Sequence, residues 1–297
     1  MNSRITDNRN RSLALAAMVF IAIWATVLLM QSDTLALISE YFGFFFLGIG
    51  GAIAANSTGA GGGVVFVPSF DALGMQINEV IGTSFAIQCF GMTMGSLSWL
   101  VFFHGKSEQK IERVNLLYQA LSASLPFSII GIYLVQYLPI QPVASIHLIF
   151  SIFSLVFGVI VLYHCVYLGK RSTHRGVKTL TKGEIALIAI SSLVGGIITA
   201  WISVGVGEIL AVILLLRGFS VMFSVAAGVI VSALSVISGI AYFINLQLIN
   251  TEVLIFAAPG AIVGAFVARY LALWLGAQKL KMFLGSWILL VGILGIL

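Results

Sequence analysis

Runs of apolar residues, each closed by a short polar or charged stretch, recur along the whole chain. They are Leu13–Met30, Tyr41–Ala55, Gly62–Leu73, Ile81–Phe103, Val114–Leu138, Ala144–Tyr167, Ile185–Ser203, Gly207–Leu216, Val221–Leu246, Val253–Leu275 and Leu280–Leu297. Most have the roughly 18 to 25 residues that a helix rising 1.5 Å per residue needs to cross about 30 Å of hydrocarbon. The pattern predicts an all-α membrane protein without a soluble domain. Two runs depart from it: Gly62–Leu73 and Gly207–Leu216 reach only about 15 to 18 Å as helices, and each follows a Gly-rich interruption. They read as half-helices, either re-entrant hairpins or short spans. Both versions leave an odd number of crossings per half, so the two halves enter the membrane from opposite sides.

The halves also resemble each other. Gly50-Gly51-Ala52-Ile53 aligns with Gly195-Gly196-Ile197-Ile198, and the same separation sets Ala60-Gly61-Gly62 on Gly205-Val206-Gly207. Pro126 and Gly131 match Pro259 and Gly264 at a shorter separation, as expected if the charged loop 104–113 has a smaller counterpart near Gln247–Glu252. Weak internal symmetry with interrupted segments at matching positions is the signature of an inverted-repeat transporter. The expected fold is therefore two inverted-topology repeats of transmembrane helices with broken or re-entrant helices at the centre. It divides into an extra N-terminal helix and outer loop (1–40), a first repeat (41–167), a basic cytoplasmic linker (168–184) and a second repeat (185–297).

Composition agrees with this reading: 60% of the 297 residues are hydrophobic and 8% charged, against about 25% charged in soluble domains. The net charge of +5 does not point to nucleic acid, because the basic residues sit in short loops beside apolar spans, where Lys and Arg mark the cytoplasmic side. Arg4, Arg9 and Arg11, then Lys106, Lys110 and Arg113, then Lys170, Arg171, Arg175, Lys178 and Lys182, and finally Arg217, Arg269, Lys279 and Lys281 all fall on one side in this topology. The N-terminus is then cytoplasmic and the C-terminus external, in a cell inner membrane. The run Leu13–Met30 is longer than a usual signal-peptide core and lacks a small-x-small exit, which predicts a retained helix. Cys89 and Cys165 lie in apolar runs with no CxxC or Cys/His spacing, so neither a metal site, a cofactor nor a disulfide framework is expected. A thiol in such surroundings is usually inert, and His147 and His164, at opposite ends of one run, read as interface residues.

Candidate chemistry concentrates at the interruptions. Asn56-Ser57-Thr58-Gly59-Ala60-Gly61-Gly62-Gly63 breaks one apolar segment, and Trp201-Ile202-Ser203-Val204-Gly205-Val206-Gly207-Glu208 breaks its counterpart. Unpaired backbone groups are not tolerated at membrane depth, so such a break must be buried in protein or line a wet cavity. Glycines admit a ligand to the main chain, and free N–H groups at a helix start suit an anion. The alternative reading is close helix packing through small residues, as also fits Gly91/Gly95 and Gly260/Gly264. Side chains able to help hold a small anion are Asn56, Ser57, Thr58, Thr83, Ser84, Gln88 and Ser203, beside the main chain of Gly59, Gly61, Gly62, Gly63, Gly205 and Gly207. Each hydroxyl alone is more often bonded back to its own helix than a ligand. Glu208 is the one acid expected near the bilayer centre, where ionisable residues mark pathways or proton relays; it is the candidate for proton coupling, or else a helix-start carboxylate.

The stretch Gly59-Ala60-Gly61-Gly62-Gly63-Val64-Val65-Phe66-Val67-Pro68, followed by Val80-Ile81-Gly82-Thr83-Ser84 and, in the second half, by Pro259-Gly260-Ala261-Ile262-Val263-Gly264, resembles the sulfite exporter TauE/SafE family, also called TSUP transporters, over roughly residues 41–297. The resemblance implies transport of small sulfur-containing or organic anions such as sulfite, sulfoacetate and related sulfonates. Glu208 and Ile209 stand where a symmetric second motif would carry further glycines, so the two breaks are not expected to act identically. The leading reading is a secondary transporter, since no P-loop is present to support ATP-driven transport by this chain; it competes with an anion channel and with a membrane-embedded enzyme handling a sulfur compound, and no nucleophile–base pair or HExxH motif supports the last.

Overall fold

In the computed structural model, the described residues are 18–31, 33–104, 108–138, 140, 142, 144–163, 165–166, 179–294 and 296. Residues 1–17 with Arg4, Arg9 and Arg11, as well as Lys106, His164 and most of the basic linker with Lys170, Arg171, Arg175 and Lys178, lie outside them. The described chain is all-helical. Its helices are α1 (Met18–Leu29), α2 (Thr34–Tyr41), α3 (Gly43–Thr58), α4 (Gly63–Ala72), α5 (Ile77–Phe103), α6 (Glu108–Tyr137), α7 (Ile146–Tyr163), α8 (Lys182–Ile202), α9 (Val206–Leu216), α10 (Val221–Asn245), α11 (Thr251–Leu275) and α12 (Ala277–Leu294). Six of them, α5 to α8, α10 and α11, contain stretches long and apolar enough to cross a membrane, while α1 and α2 form one apolar pair bent by 112°. The expected loop 104–113 is shorter than its charges suggested, because α6 already starts at Glu108. Glu, Gln, Lys and Arg are good helix formers, and a helix can continue past the bilayer into water.

Short polar residues set the helix starts. Thr181 and Glu184 form a reciprocal cap on α8, the Ser220 side chain accepts from the Phe223 N–H, and Asn250 Oδ1 accepts from the Val253 N–H at 2.9 Å. Each such cap satisfies N–H groups that a helix start leaves without partners. Glu184 also meets Arg217 at 3.4 Å, which ties the start of α8 to the end of α9.

Packing follows one scheme. Helix α3 lies along α11, α6 along α8, α7 along α12, and α5 along both α10 and α11, while α10 also packs on α6. Exchanging α3 to α7 for α8 to α12, in order, turns the α3–α11 pair into α8–α6 and the α5–α11 pair into α10–α6, and it returns α5–α10 and α7–α12 to themselves. This contact pattern is consistent with two related five-helix repeats. Pro126 and Pro259 lie inside the exchanged helices α6 and α11, where each removes one backbone donor. The α3–α11 contact is built on glycine: a methyl group on Gly48 would strike the Ala257 carbonyl, and one on Gly260 or Gly264 would strike the carbonyls of Phe45 or Ile49. Small residues let backbones approach this closely, which is what drives association where helix and lipid are equally apolar.

The protein is apolar outside and partly polar inside. Leu187, Ile190 and Val194 of α8 share an exposed face, whereas Ser192 of the same helix is buried and bonds Ser124 of α6 at 2.7 Å. Ser128 and Ser235 join α6 to α10 in the same way at 2.8 Å. Buried hydroxyls that reach a partner across helices are tolerated because they leave no polar group orphaned.

Candidate functional site

Each half of the chain is interrupted by a left-handed residue at the end of its first long helix. Helix α3 ends at Gly59 (φ 84°) and α8 ends at Ser203 (φ 60°), and each of these residues donates its N–H back into its helix, to Ala55 and Thr199 respectively. Glycine adopts this conformation freely, whereas serine does so at some cost. The interruptions proper are Gly59–Gly62 and Ser203–Gly205, narrower than the sequence pattern suggested. Asn56, Ser57 and Thr58 belong to the last turn of α3, and Trp201 and Ile202 to the last turn of α8. The helix persists because the polar side chains bond their own turn: Asn56 Nδ2 donates to the Ala52 carbonyl at 2.9 Å, and Ser57 and Thr58 donate to that of Ala54.

The two breaks lie against each other. One oxygen of Glu208 accepts from the Gly61 N–H, and the other accepts from the Gly205 N–H at 2.9 Å. A single carboxylate is thus held by main-chain donors of both halves. Next to it, Gln88 Oε1 accepts from the Gly62 N–H at 2.9 Å, and Gln88 Nε2 donates to Ser203 Oγ at 2.8 Å, with Ser84 Oγ and the Ser203 carbonyl also in reach. Ser203 Oγ donates to Ser84 Oγ at 2.8 Å. The N–H groups ahead of α4 are therefore occupied by side chains rather than free. Glu208, Gln88, Ser84 and Ser203 are all at least 98% buried. Helices α3 and α10 carry no Asp, Glu, Lys, Arg or His, so among the described residues nothing of opposite charge on them faces Glu208.

Glycine makes the approach possible. A methyl group on Gly63 would collide with the Ser203 carbonyl and with Val204, and one on Gly207 would collide with Ser232 Oγ. Thr83 is turned to another helix, its hydroxyl accepting from the Asn250 N–H at 2.9 Å, and Asn56 and Ser57 bond carbonyls of α3 rather than the Glu208 and Gln88 cluster. Two participants carry no sequence signal beyond being polar in an apolar run. Thr199 accepts from the Val206 N–H at 2.9 Å and so caps α9, and the Trp99 indole donates to the Asn56 carbonyl at 2.9 Å and so closes α3. His147 sits apart at the start of α7, 3.4 Å from Asp71 at the end of α4.

Physically this is a place built for negative charge. N–H groups at two interruptions converge on one point, where an ionised oxygen is stabilised by charge-assisted hydrogen bonds and by the positive ends of α4 and α9. Glu208 fills it. The family profile described as "Sulfite exporter TauE/SafE" matches residues 44–294. No curated protein and no solved structure matches the chain. The chain belongs to the sulfite exporter TauE/SafE family and is a multi-pass membrane protein of a transporter family rather than an enzyme.

Proposed function

We propose that this TauE/SafE family member is a secondary active transporter that exports a small sulfur-containing or organic anion, such as sulfite, sulfoacetate or a related sulfonate, across the inner membrane with proton coupling through Glu208. The observation that carries the reading is the Glu208 carboxylate, shared between the Gly61 and Gly205 N–H groups. A substrate anion competes for those donors. While Glu208 is ionised it occupies them itself; once it takes up a proton, its claim on them weakens and an arriving anion accepts in its place, so anion and proton occupancy are linked. The Gly62 N–H, Gln88, Ser84 and Ser203 form the rest of the anion's surroundings, with Gly59, Gly63 and Gly207 keeping the main chains close. Neutral donors hold an anion weakly enough to release it, which suits a carrier.

The experiment is uptake into proteoliposomes of sulfite, thiosulfate, sulfoacetate, sulfolactate and isethionate, with and without an imposed pH difference. At least one should accumulate against its gradient only when the pH difference is present. Flux that merely equilibrates would instead indicate a channel, and no flux of any of the five would overturn the anion reading.

The same proposal fixes the orientation. With the basic segments inside, the N-terminus is cytoplasmic, the C-terminus is external, and the two repeats run in opposite senses. A reactive tag at position 110 should be labelled only after cells are permeabilised; labelling in intact cells would reverse the topology.

A further inference from the structure

Two cavities flank the double break, at opposite ends of α10. One, of about 20 Å³, is lined by Glu208, Thr58 and Val221 among others, which is room for about one water. The other, of about 350 Å³, reaches Tyr242, Phe243 and Leu246 at the far end of the same helix. Its volume falls in the range of small-molecule sites. It also reaches Ala200 and Trp201, in the last turn of α8 just ahead of the Ser203 interruption. An occupant therefore approaches the double break from the α8 side, although Ser203, Gln88 and Glu208 are not among the described lining residues.

The lining of this wide cavity is unlike an ion path. Apolar and aromatic side chains dominate, and no Asp, Glu, Lys or Arg is present among the described lining residues. An inorganic oxyanion would gain nothing from such walls, whereas the carbon part of an organic anion would. One polar residue in the lining is Gln136, which is 92% buried. Its Nε2 donates to the Gly239 carbonyl at 2.9 Å, while its Oε1 is buried with no partner among the described residues. The Gly239 contact fixes the amide orientation, because a flipped amide would set oxygen against oxygen. An orphaned acceptor is costly, and a ligand donor entering the cavity would relieve that cost once the Gln136 side chain shifts to uncover it.

We propose that the wide cavity holds the organic part of the transported anion and that Gln136 is a specificity residue, selecting ligands whose organic part carries an O–H or N–H donor. This rests on the reading of the double break as the site of the anionic group. Isethionate and ethanesulfonate test it, since they differ by one hydroxyl on the same short carbon chain. In proteoliposome exchange the wild-type protein should show a KM for isethionate lower by roughly tenfold, with similar kcat. Gln136→Met, which keeps the volume and removes the acceptor, should raise the isethionate KM to the ethanesulfonate value and leave ethanesulfonate unaffected. Equal handling of the two sulfonates by wild type overturns the proposal, as does an equal loss for both in the variant, which would mark Gln136 as structural. Sulfite, with no organic part, is run in parallel. If wild type exchanges sulfite without a hydroxyl preference, the role of Gln136 alone fails; if it exchanges none of the three, the anion site fails and the proposal with it.

Discussion

Proteoliposomes carrying Glu208→Gln should no longer accumulate substrate when a pH difference is imposed, yet should still exchange labelled substrate in the absence of any gradient. The amide keeps the size of the carboxyl and cannot carry a proton. The geometry adds a cost that the sequence alone does not reveal: the carboxylate accepts from both Gly61 and Gly205, whereas an amide has one accepting oxygen and must turn its NH₂ toward the other N–H. One hydrogen bond is lost, a penalty of about 1–3 kcal/mol, so the variant should express with a lowered melting temperature but fold. Accumulation should fall at least roughly tenfold while exchange remains within a few-fold of wild type. Intact pH-driven accumulation would remove Glu208 from coupling. Loss of both activities in well-folded protein would instead assign it to holding the two breaks together.

The second large effect is expected from one methyl group. Gly63→Ala places a Cβ into the Ser203 carbonyl and the Val204 side chain, where the start of α4 meets the second break. The carbonyl belongs to a backbone fixed by neighbouring bonds, since Gln88 ties Ser203 to the Gly62 N–H, while the Val204 obstacle is its side-chain Cγ2. Overpacking a site of this kind typically costs about 1–3 kcal/mol and sometimes more, and here the strain falls directly on the Glu208 and Gln88 bonds. Transport should be abolished and the melting temperature in detergent lowered. Gly50→Ala is the control: nothing lies within 4 Å of its added Cβ, and it should behave as wild type. Normal transport by Gly63→Ala would mean that the breaks separate without consequence, which the proposed site does not permit.

How much of this was legible in the sequence depends on the kind of signal. The helical membrane class follows from apolar length alone, because the bilayer sets a single scale for every span. The interruptions were visible through Gly59, Gly61 and Gly205, since glycine clusters have few other reasons to interrupt an apolar run. Their limits are narrower than the composition suggests: Asn56, Ser57, Thr58 and Trp201 lie in the glycine-rich and polar stretches but continue their helices, and no local rule states when a hydroxyl will bond back to its own turn. The capping of the α4 start by Glu208 and Gln88 was not legible either, because it joins residues more than a hundred positions apart in one case and depends on which face of α5 turns inward in the other. Thr83 shows the same point in reverse. One residue away from Ser84, it sits on another face and serves the start of α11.

The lengthwise pairing of α3 with α11 also bears on how the protein is made. When α3 has entered the bilayer, the helix that will cover its glycine face is still about 190 residues from being synthesised, on the order of 10 to 40 s at bacterial or eukaryotic elongation rates. During that interval Gly48 has no α11 to face, and Gln88, once inserted, has no Ser203 to receive its amide. The first half is thus a waiting partner, stable in lipid by virtue of its apolar helices but unfinished in its polar interior, and the last hundred residues close both halves at once.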